Sequence, residues 1–227
     1  MHEWQCSKTK AENGVLHKNP RGGEKVKQNA FYWNFFKGGI RKSLNKRLSP
    51  SLTKEIMNNG EKEYRLLIDH APELGKGNPF SLNMYFACVF IGVWLGSDKS
   101  LSSDTMADIM TESLLRLKPF FGLINLNKPR HAKLVQYHMA EKYMKWCDKH
   151  AKDYPSTWQM TGKPDKRRGV YYELHSCPIC SLCKQEGISE IMPPLCALDT
   201  LMFSMMHGKL IRHNMIAAGG EMCDYWV

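Results

Sequence analysis

The stretch FSLNMYFACVFIGVWLG, residues 80–96, decides the fold, and it carries no charged side chain. A helix that is apolar on every side is buried, either in a membrane or in a protein core. At about 17 residues the stretch is at the lower limit for crossing a bilayer. It also contains Asn83, Gly92 and Gly96. These features favour a buried core helix over a membrane span.

Amphipathic segments lie on both sides of this core helix, with apolar residues at helical spacing. Ser49 followed by Pro50 has the pattern of an N-cap and the first helical position. The predicted helices cover residues 28–47, 50–71, 80–96, 102–117 and 129–150. In the last of them, the residues predicted to face inward are Leu134, Tyr137, Met144 and Trp146.

The sequence changes character after about residue 152, where β-branched and aromatic residues cluster in short runs. Two such runs flank a turn at residues 163–169 and predict a hairpin. Alternating residues around Gly219-Gly220 predict a second pair of strands. The predicted strands are 157–161, 169–174, 210–216 and 222–226, and the predicted helices of this region are 178–186 and 193–208.

Together these elements predict an α+β fold, in which an N-terminal helical region packs with a C-terminal antiparallel sheet and short helices. We distinguish a polar arm at residues 1–28, a helical region at 29–152 and a cysteine-rich α+β region at 153–227. A chain of 227 residues buries a full core without disulfides or metals. We therefore expect one integrated domain.

The formal net charge is +10, and the basic residues are spread along the chain without a dense block. No nucleic-acid-binding module is recognisable, so we expect a solvated basic surface and neither nucleic acid nor a membrane as a partner. The N-terminus lacks the pattern of a secretory signal, which predicts a cytoplasmic protein. Thiols stay reduced in that compartment, so clustered cysteines there indicate catalysis or metal binding.

Residues 175–225 concentrate the side chains that can act as nucleophile, acid, base or metal ligand. Five of the eight cysteines lie in this stretch. They are Cys177, Cys180, Cys183, Cys196 and Cys223, and two aspartates, Asp199 and Asp224, accompany the last two. Such a cluster indicates either a metal ion or a reactive thiolate.

A metal site is the first interpretation. Cys177, Cys180 and Cys183 offer three thiolates on one short segment, and zinc takes four tetrahedral ligands. The fourth ligand would come from Cys196, His175 or Cys223. A structural zinc site normally has a second pair of ligands, which this sequence lacks, and an iron–sulfur cluster is open by ligand type alone.

A catalytic thiolate is the second interpretation. Cys177 lies at the start of one predicted helix and Cys196 in the first turn of the next, two positions that favour an anion. Asp199 lies three residues after Cys196, on the same helical face, where a carboxyl group can exchange a proton beside the thiol. Cys223 and Asp224 are adjacent in a predicted strand and point to opposite faces, so only one of them easily faces the same pocket.

The motifs of the tail follow a distinctive order. They are Cys177-Pro, Gly187, Glu190 followed by proline, Cys196-x2-Asp199, Ile211-Arg212, and Ala-x-Gly-x-x-x-Cys-Asp-aromatic at 217–225. This order resembles the L-2-amino-thiazoline-4-carboxylic acid hydrolase family, most sharply over residues 170–227. Met215 stands where that family usually carries Thr, and Cys180 and Cys183 are additional to its pattern.

The resemblance implies a hydrolase without a cofactor that opens a cyclic C–N bond in a small amidine or thiazoline-type molecule. The catalytic candidates are Cys177, Cys196, Asp199, Cys223 and Asp224, and Arg212 is the candidate for holding a substrate carboxylate. Cys196, Cys177 or a water molecule would attack the ring carbon, and Asp199 or Asp224 would supply a proton. The alternative is a non-catalytic module that senses a small molecule or a metal.

Overall fold

The computed structural model describes residues 26–162 and 169–227, so the predicted arm up to residue 25 and the predicted turn at 163–168 lie outside it. Its helices are α1 (Ala30–Leu44), α2 (Pro50–His70), α3 (Ser81–Gly96), α4 (Ser103–Leu115), α5 (Lys118–Phe121), α6 (Pro129–Gln136), α7 (Lys142–His150), α8 (Pro178–Gln185) and α9 (Met192–Met205). Its strands are β1 (Met160–Thr161), β2 (Tyr171–Leu174) and β3 (Cys223–Trp226). The α+β fold class predicted from the sequence is confirmed.

Helix α3 is the buried core helix that the sequence predicts. Apolar residues cover all of its sides, and from Ala87 to Trp94 every residue is buried. Within residues 26–162 and 169–227, no helix combines the length and apolar character that a bilayer crossing requires. The buried side chains form one cluster that extends from Trp33 in α1 to Tyr225 in β3, with α3 inside it.

Glycines let α2 and α3 pack backbone against backbone. A Cβ atom added at Gly92 would lie 2.8 Å from the Gly60 carbonyl oxygen, and one added at Gly96 would lie 2.6 Å from the Gly60 Cα. Cβ atoms do not approach other atoms this closely, so these positions have no room for a side chain. The close approach fixes the position of α3 against α2.

Serine caps set the start of two helices, and the sequence predicts the one at Ser49. Ser49 accepts a hydrogen bond from the amide of Leu52 and precedes Pro50 at the first helical position. Ser102 caps α4 in the same way through the amide of Thr105. Each cap satisfies a backbone donor that has no partner inside the helix.

The predicted helix at 129–150 is interrupted. A π-helical turn at Tyr137–Glu141 separates α6 from α7 and changes which residues face the core. Leu134 is 52% exposed and Tyr137 is 44% exposed, so the prediction that they face inward is wrong. The core side is instead formed by smaller residues and one tyrosine, namely Ala132, Val135, Ala140, Tyr143 and Cys147.

The sheet has the order β1-β2-β3 and is antiparallel throughout. The predicted hairpin is present with shorter strands, and β2 also pairs with β3, placing Tyr172 opposite Tyr225. The predicted strand at 210–216 is wrong, because this segment makes only an isolated bridge between Ile211 and Trp226. The amides of His213 and Asn214 bond to the Asp224 carboxylate instead of to a strand.

The glycine contact between α2 and α3 predicts a large effect of a single methyl group. We expect Gly96→Ala to lower the free energy of unfolding by about 1–3 kcal/mol, since the added Cβ meets the α2 backbone and overpacks the core. Gly38→Ala is the matched control. Gly38 lies at an exposed position of α1, and a Cβ atom there would meet only Arg116, at 3.7 Å. That change should raise stability by about 0.5–1 kcal/mol through helix propensity. Urea unfolding of both variants tests this, and equal effects would contradict it.

Candidate active site

The candidate active site lies where the start of α8, the middle of α9 and the inner face of β3 meet. The Tyr225 hydroxyl on β3 donates to Asp199 Oδ2 on α9 at 2.9 Å. Cys177, at the start of α8, lies near enough to Asp199 that the carboxylate opposes its ionisation. Cys177 lies near enough to Cys196 and Cys223 to raise the pKa of both thiols, and Cys223 also raises the pKa of Cys196. Tertiary structure therefore brings together side chains that are far apart in the sequence.

Cys177 is the thiol in this group that is most disposed to ionise. It is the N-cap residue of α8, with extended φ and ψ of −134° and 104°, and its sulfur makes no close capping hydrogen bond. Its pKa is nevertheless lowered from 9.0. The Cys180 side chain contributes most, burial opposes the shift, and the amides of Cys180 and Ile179 add to it. Cys180 lies inside the first turn and is only 6% exposed. When this pair loses one proton, Cys177 is therefore the thiol that gives it up.

Cys196, in contrast, is disposed to keep its proton. Helix α9 begins at Met192, so Cys196 lies in the second turn, beyond the free amides that favour an anion. Burial raises the pKa of Cys196 to about 12, and Asp199 and the neighbouring thiols add to the rise. The prediction that Cys196 occupies an anion-favouring first turn is wrong, although the expected proximity of Cys196 and Asp199 is present.

Cys183 lies on the core side of α8, where it neighbours Cys88 of α3. Burial raises the pKa of Cys183 to about 12. In the part of the chain that the structure describes, no three His, Cys, Asp or Glu side chains are placed to share a metal ion. A metal on Cys177, Cys180 and Cys183 would require the fully buried Cys183 side chain to turn out of the core.

Asp199 is the carboxyl group nearest the thiols. Protein surrounds it closely, yet 34% of its side-chain surface remains accessible. Arg212 Nη2 donates to Asp199 Oδ2 at 2.9 Å, beside the bond from Tyr225. Burial raises the pKa of Asp199 above its usual 3.8, and the charge of Arg212 and the two hydrogen bonds only partly oppose this. Both bonds go to Oδ2, which leaves Oδ1 as the oxygen with a free edge.

Arg212 is held in place, but the described residues do not satisfy all of its hydrogen-bond donors. Its side chain is 8% exposed, and its guanidinium lies 4.6 Å from the centre of the Tyr225 ring. Besides the bond to Asp199, Nη1 contacts the Met215 sulfur at 3.3 Å, and a thioether is a weak acceptor. The Nε atom is buried and has no hydrogen-bond partner in the described residues. An acceptor such as a substrate carboxylate would satisfy these donors.

Cys223 and Asp224 are divided between the two faces of β3, as their adjacency predicts. Cys223 faces the thiols, and its sulfur accepts from the Ile216 amide at 3.3 Å. Asp224 faces the loop at 211–214 and bonds to the His213 amide, the His213 Nδ1 and the Asn214 amide. The structure therefore places Asp224 outside the group formed by Asp199 and the thiols, where it holds the loop that carries Arg212.

The site contains two tyrosines that the sequence did not predict. Tyr225 binds Asp199 and supports Arg212, and Tyr172 stacks on Tyr225 with ring centres 4.5 Å apart. The signal for Tyr225 was present, because a strand with Cys223 facing inward also turns residue 225 inward. No sequence signal pointed to Tyr172, which reaches the site through the pairing of β2 with β3.

A surface cavity of about 340 Å³ lies elsewhere, lined by Trp94, Lys99, Leu101, Ser102, Ser103, Glu190 and Ile191. Its two charged residues, Lys99 and Glu190, lie 3.4 Å apart and pair with each other. It holds no thiol or histidine, so the groups with reactive chemistry are those around Asp199.

The buried contacts of Asp224 predict pH-dependent stability. Burial opposes its ionisation, but the Asn214 amide and the His213 side chain and amide outweigh this and lower the pKa of Asp224 below 3.8. A carboxyl group with a lowered pKa stabilises the fold above its unfolded pKa, and this contribution is lost as the pH falls through the folded value. Asp224→Asn should therefore lower stability at pH 7 by about 1–3 kcal/mol and weaken the decline below pH 3.8.

Asp98→Asn is the matched control, because Asp98 is exposed and asparagine accepts its positive φ of 52°. Thermal unfolding between acidic and neutral pH measures both variants. An Asp224→Asn protein whose stability follows that of wild type at every pH would contradict the prediction.

The lowered pKa of Cys177 predicts selective alkylation. In a Cys6→Ser background, which removes a thiol outside the described residues, iodoacetamide should modify Cys177 first because only a thiolate reacts. The rate at Cys177 should reach half its maximum below pH 9.0, and Cys196→Ser should leave this fast reaction intact. Peptide mass spectrometry identifies the modified residue, and fast modification at Cys196 or Cys223 would show that the assignment is wrong.

Comparison with known proteins supports the relationship suggested by the tail motifs. The family described as L-2-amino-thiazoline-4-carboxylic acid hydrolase matches residues 85–227, which is more than half of the chain and includes every residue of the candidate site. No curated protein and no solved structure matches the chain. The match covers the tail together with most of α3 and the helices that follow it, and the chain belongs to the L-2-amino-thiazoline-4-carboxylic acid hydrolase family.

Proposed function

We propose that this protein hydrolyses a small cyclic amidine of the thiazoline type that carries a carboxylate. The observation that carries the proposal is the placement of Asp199, bonded to Arg212 and Tyr225, in the neighbourhood of the Cys177 thiol. The pKa of the thiol is lowered and that of the carboxyl group is raised. The two shifts bring the pKa values closer together, which increases the fraction of molecules with a thiolate nucleophile beside a neutral acid.

The family supplies the substrate class in this proposal, and Arg212 supplies the means of binding it. The guanidinium has an unpartnered Nε and a weak contact from Nη1 to Met215. A ring carboxylate replaces these with charge-assisted hydrogen bonds. Since Asp199 holds the other side of the guanidinium, binding the carboxylate at Arg212 places the ring next to both Asp199 and Cys177.

In the proposed reaction the Cys177 thiolate attacks the ring carbon that lies between nitrogen and sulfur. The neutral Asp199 donates its proton to the ring atom that departs, and the ring opens with the carbon bound to the Cys177 sulfur. Water then attacks this carbon, the ionised Asp199 accepts a proton from it, and the Cys177 thiolate leaves. The sum is the addition of one water molecule, and the product is a carbamoyl cysteine.

The position of the carbamoyl group reveals which ring bond breaks. Departure of the ring nitrogen, the C–N cleavage expected from the resemblance, leaves the carbamoyl group on sulfur and a free α-amine. Departure of sulfur leaves the carbamoyl group on nitrogen and releases a thiol. A thiol reagent and an amine reagent applied to the separated product distinguish the two outcomes.

Activity toward L-2-amino-thiazoline-4-carboxylate tests the roles of the residues. Cys177→Ser should remove turnover, and Asp199→Asn should lower kcat by about 10²–10⁴-fold, the usual contribution of a general acid. Arg212→Lys keeps the charge but loses the planar fork, so it should raise KM more than it lowers kcat. Steady-state kinetics on folded variants, checked by circular dichroism, measure these changes.

Cys183→Ala is the matched control, because Cys183 faces the core and takes no part in the proposed reaction. It should keep the wild-type rate. If Cys183→Ala lost activity together with a bound metal, a site built on Cys177, Cys180 and Cys183 would replace the thiolate mechanism. A Cys177→Ser protein with full turnover would overturn the proposed nucleophile.

A further inference from the structure

We propose that Cys177 and Cys180 form a reversible dithiol–disulfide pair that exchanges with small-molecule disulfides. The two residues enclose the segment Cys177-Pro-Ile-Cys180. Pairs with this spacing at the start of a helix are suited to thiol–disulfide exchange. This chemistry does not depend on the proposed hydrolysis, and it uses Cys180, which the proposed hydrolytic reaction leaves unused.

The backbone brings the two side chains together. Cys177 is the N-cap with an extended conformation, and Pro178 occupies the first position of α8. Residues three apart in the first turn lie on one side of a helix, and their Cα atoms fall within the roughly 4.4–6.8 Å that a disulfide spans. Of the groups around Cys177, the Cys180 side chain has the largest effect on its ionisation, so the two thiols are near neighbours.

The two cysteines differ in exposure, and this difference assigns one to attack the disulfide and the other to resolve the intermediate. Cys177 is partly exposed, so it is the more accessible residue of the pair and the one assigned to attack a small disulfide. Cys180 is 6% exposed, so it meets Cys177 but not the reagent. The lowered pKa of Cys177 and the raised pKa of Cys180 support the same order, with Cys177 as the attacking thiolate and Cys180 as the thiol that resolves the intermediate.

The exchange needs no cofactor, because the electrons pass only between thiols and disulfides. The Cys177 thiolate attacks one sulfur of a disulfide RS–SR, the S–S bond breaks, and one RS⁻ leaves. Cys180 then loses its proton to solvent and attacks Cys177 Sγ, which releases the second RS⁻. The protein dithiol is oxidised, the small disulfide is reduced to two thiols, and an excess of RSH reverses both steps.

The other cysteines near this pair are less suited to resolve the intermediate. Cys183 lies on the core side of α8 next to Cys88. The Cys223 sulfur already accepts a hydrogen bond from the Ile216 amide. Cys196 is on a different helix, α9. Cys180 alone shares the first turn with Cys177.

Glutathione disulfide is the probe for the test. The Cys6→Ser protein is equilibrated in buffers of increasing glutathione disulfide over glutathione. It is then unfolded in acid, alkylated with iodoacetamide in denaturant at neutral pH and mapped by mass spectrometry. We expect Cys177 and Cys180 to lose alkylation together, with a peptide two hydrogens lighter than the dithiol form. Excess glutathione should restore both thiols.

Cys180→Ser separates the two steps, because Cys177 can still attack but nothing resolves the adduct. This variant should accumulate one glutathione on Cys177, while the matched Cys196→Ser variant should form the Cys177–Cys180 disulfide like the parent. A disulfide from Cys177 to Cys196 or Cys223 in the parent would overturn the proposal. So would a lasting glutathione adduct in the parent, or no reaction at Cys177 in either protein.

One consequence rests on the proposed function. A closed Cys177–Cys180 disulfide withholds the nucleophile, so oxidation should abolish hydrolysis in the parent and glutathione should restore it. Disulfide mapping and turnover are separate measurements. If the disulfide forms but the parent shows no hydrolytic activity, the exchange proposal stands and the hydrolase proposal fails. If hydrolysis is observed but no disulfide forms, the exchange proposal fails and the hydrolase proposal stands.

Discussion

The backbone contact between α2 and α3 at Gly60, Gly92 and Gly96 is the constraint on which the rest of the structure depends. It buries a helix that is apolar on every side, and such a helix has no stable place at a surface. Once α3 is enclosed, its neighbours must cover what remains of it. Helix α8 is one of these neighbours, and the proximity of Cys183 to Cys88 joins the cysteine-rich region to the core.

The polar centre of the site depends on that packing. Asp199 comes from a helix, Tyr225 from a strand and Arg212 from an irregular loop, and they meet at one carboxylate oxygen. A buried ion pair is stable only when its remaining donors and acceptors are satisfied. Within the part of the chain that the structure describes, the Nε of Arg212 has no hydrogen-bond partner. A buried donor of this kind needs an explanation, and a bound ligand is one.

Environment, not residue type, distinguishes the cysteines of this site. Cys177 lies at a helix start beside a thiol, and its pKa falls below 9.0. Cys196 lies one turn inside a helix beside a carboxyl group, and its pKa rises to about 12. Identical side chains thus take different roles. The difference between Cys177 and Cys196 follows from their positions, one at the start of a helix and the other about one turn inside a helix. The same position at the start of α8 suits Cys177 to both attack on carbon and exchange with disulfides.

The sequence by itself determined most of the helical segments, the capped start at Ser49, the α+β class and the stretch that holds the candidate site, because these follow from local periodicity, capping and composition. It did not determine the π-helical turn after α6 or the irregular course of 210–216, where side chains bond to backbone groups in place of regular structure. Only the tertiary structure decided which thiol favours the anion, that Asp199 meets Arg212 and Tyr225, and that Asp224 turns away. These properties depend on burial and on neighbours distant in sequence, which local patterns do not contain.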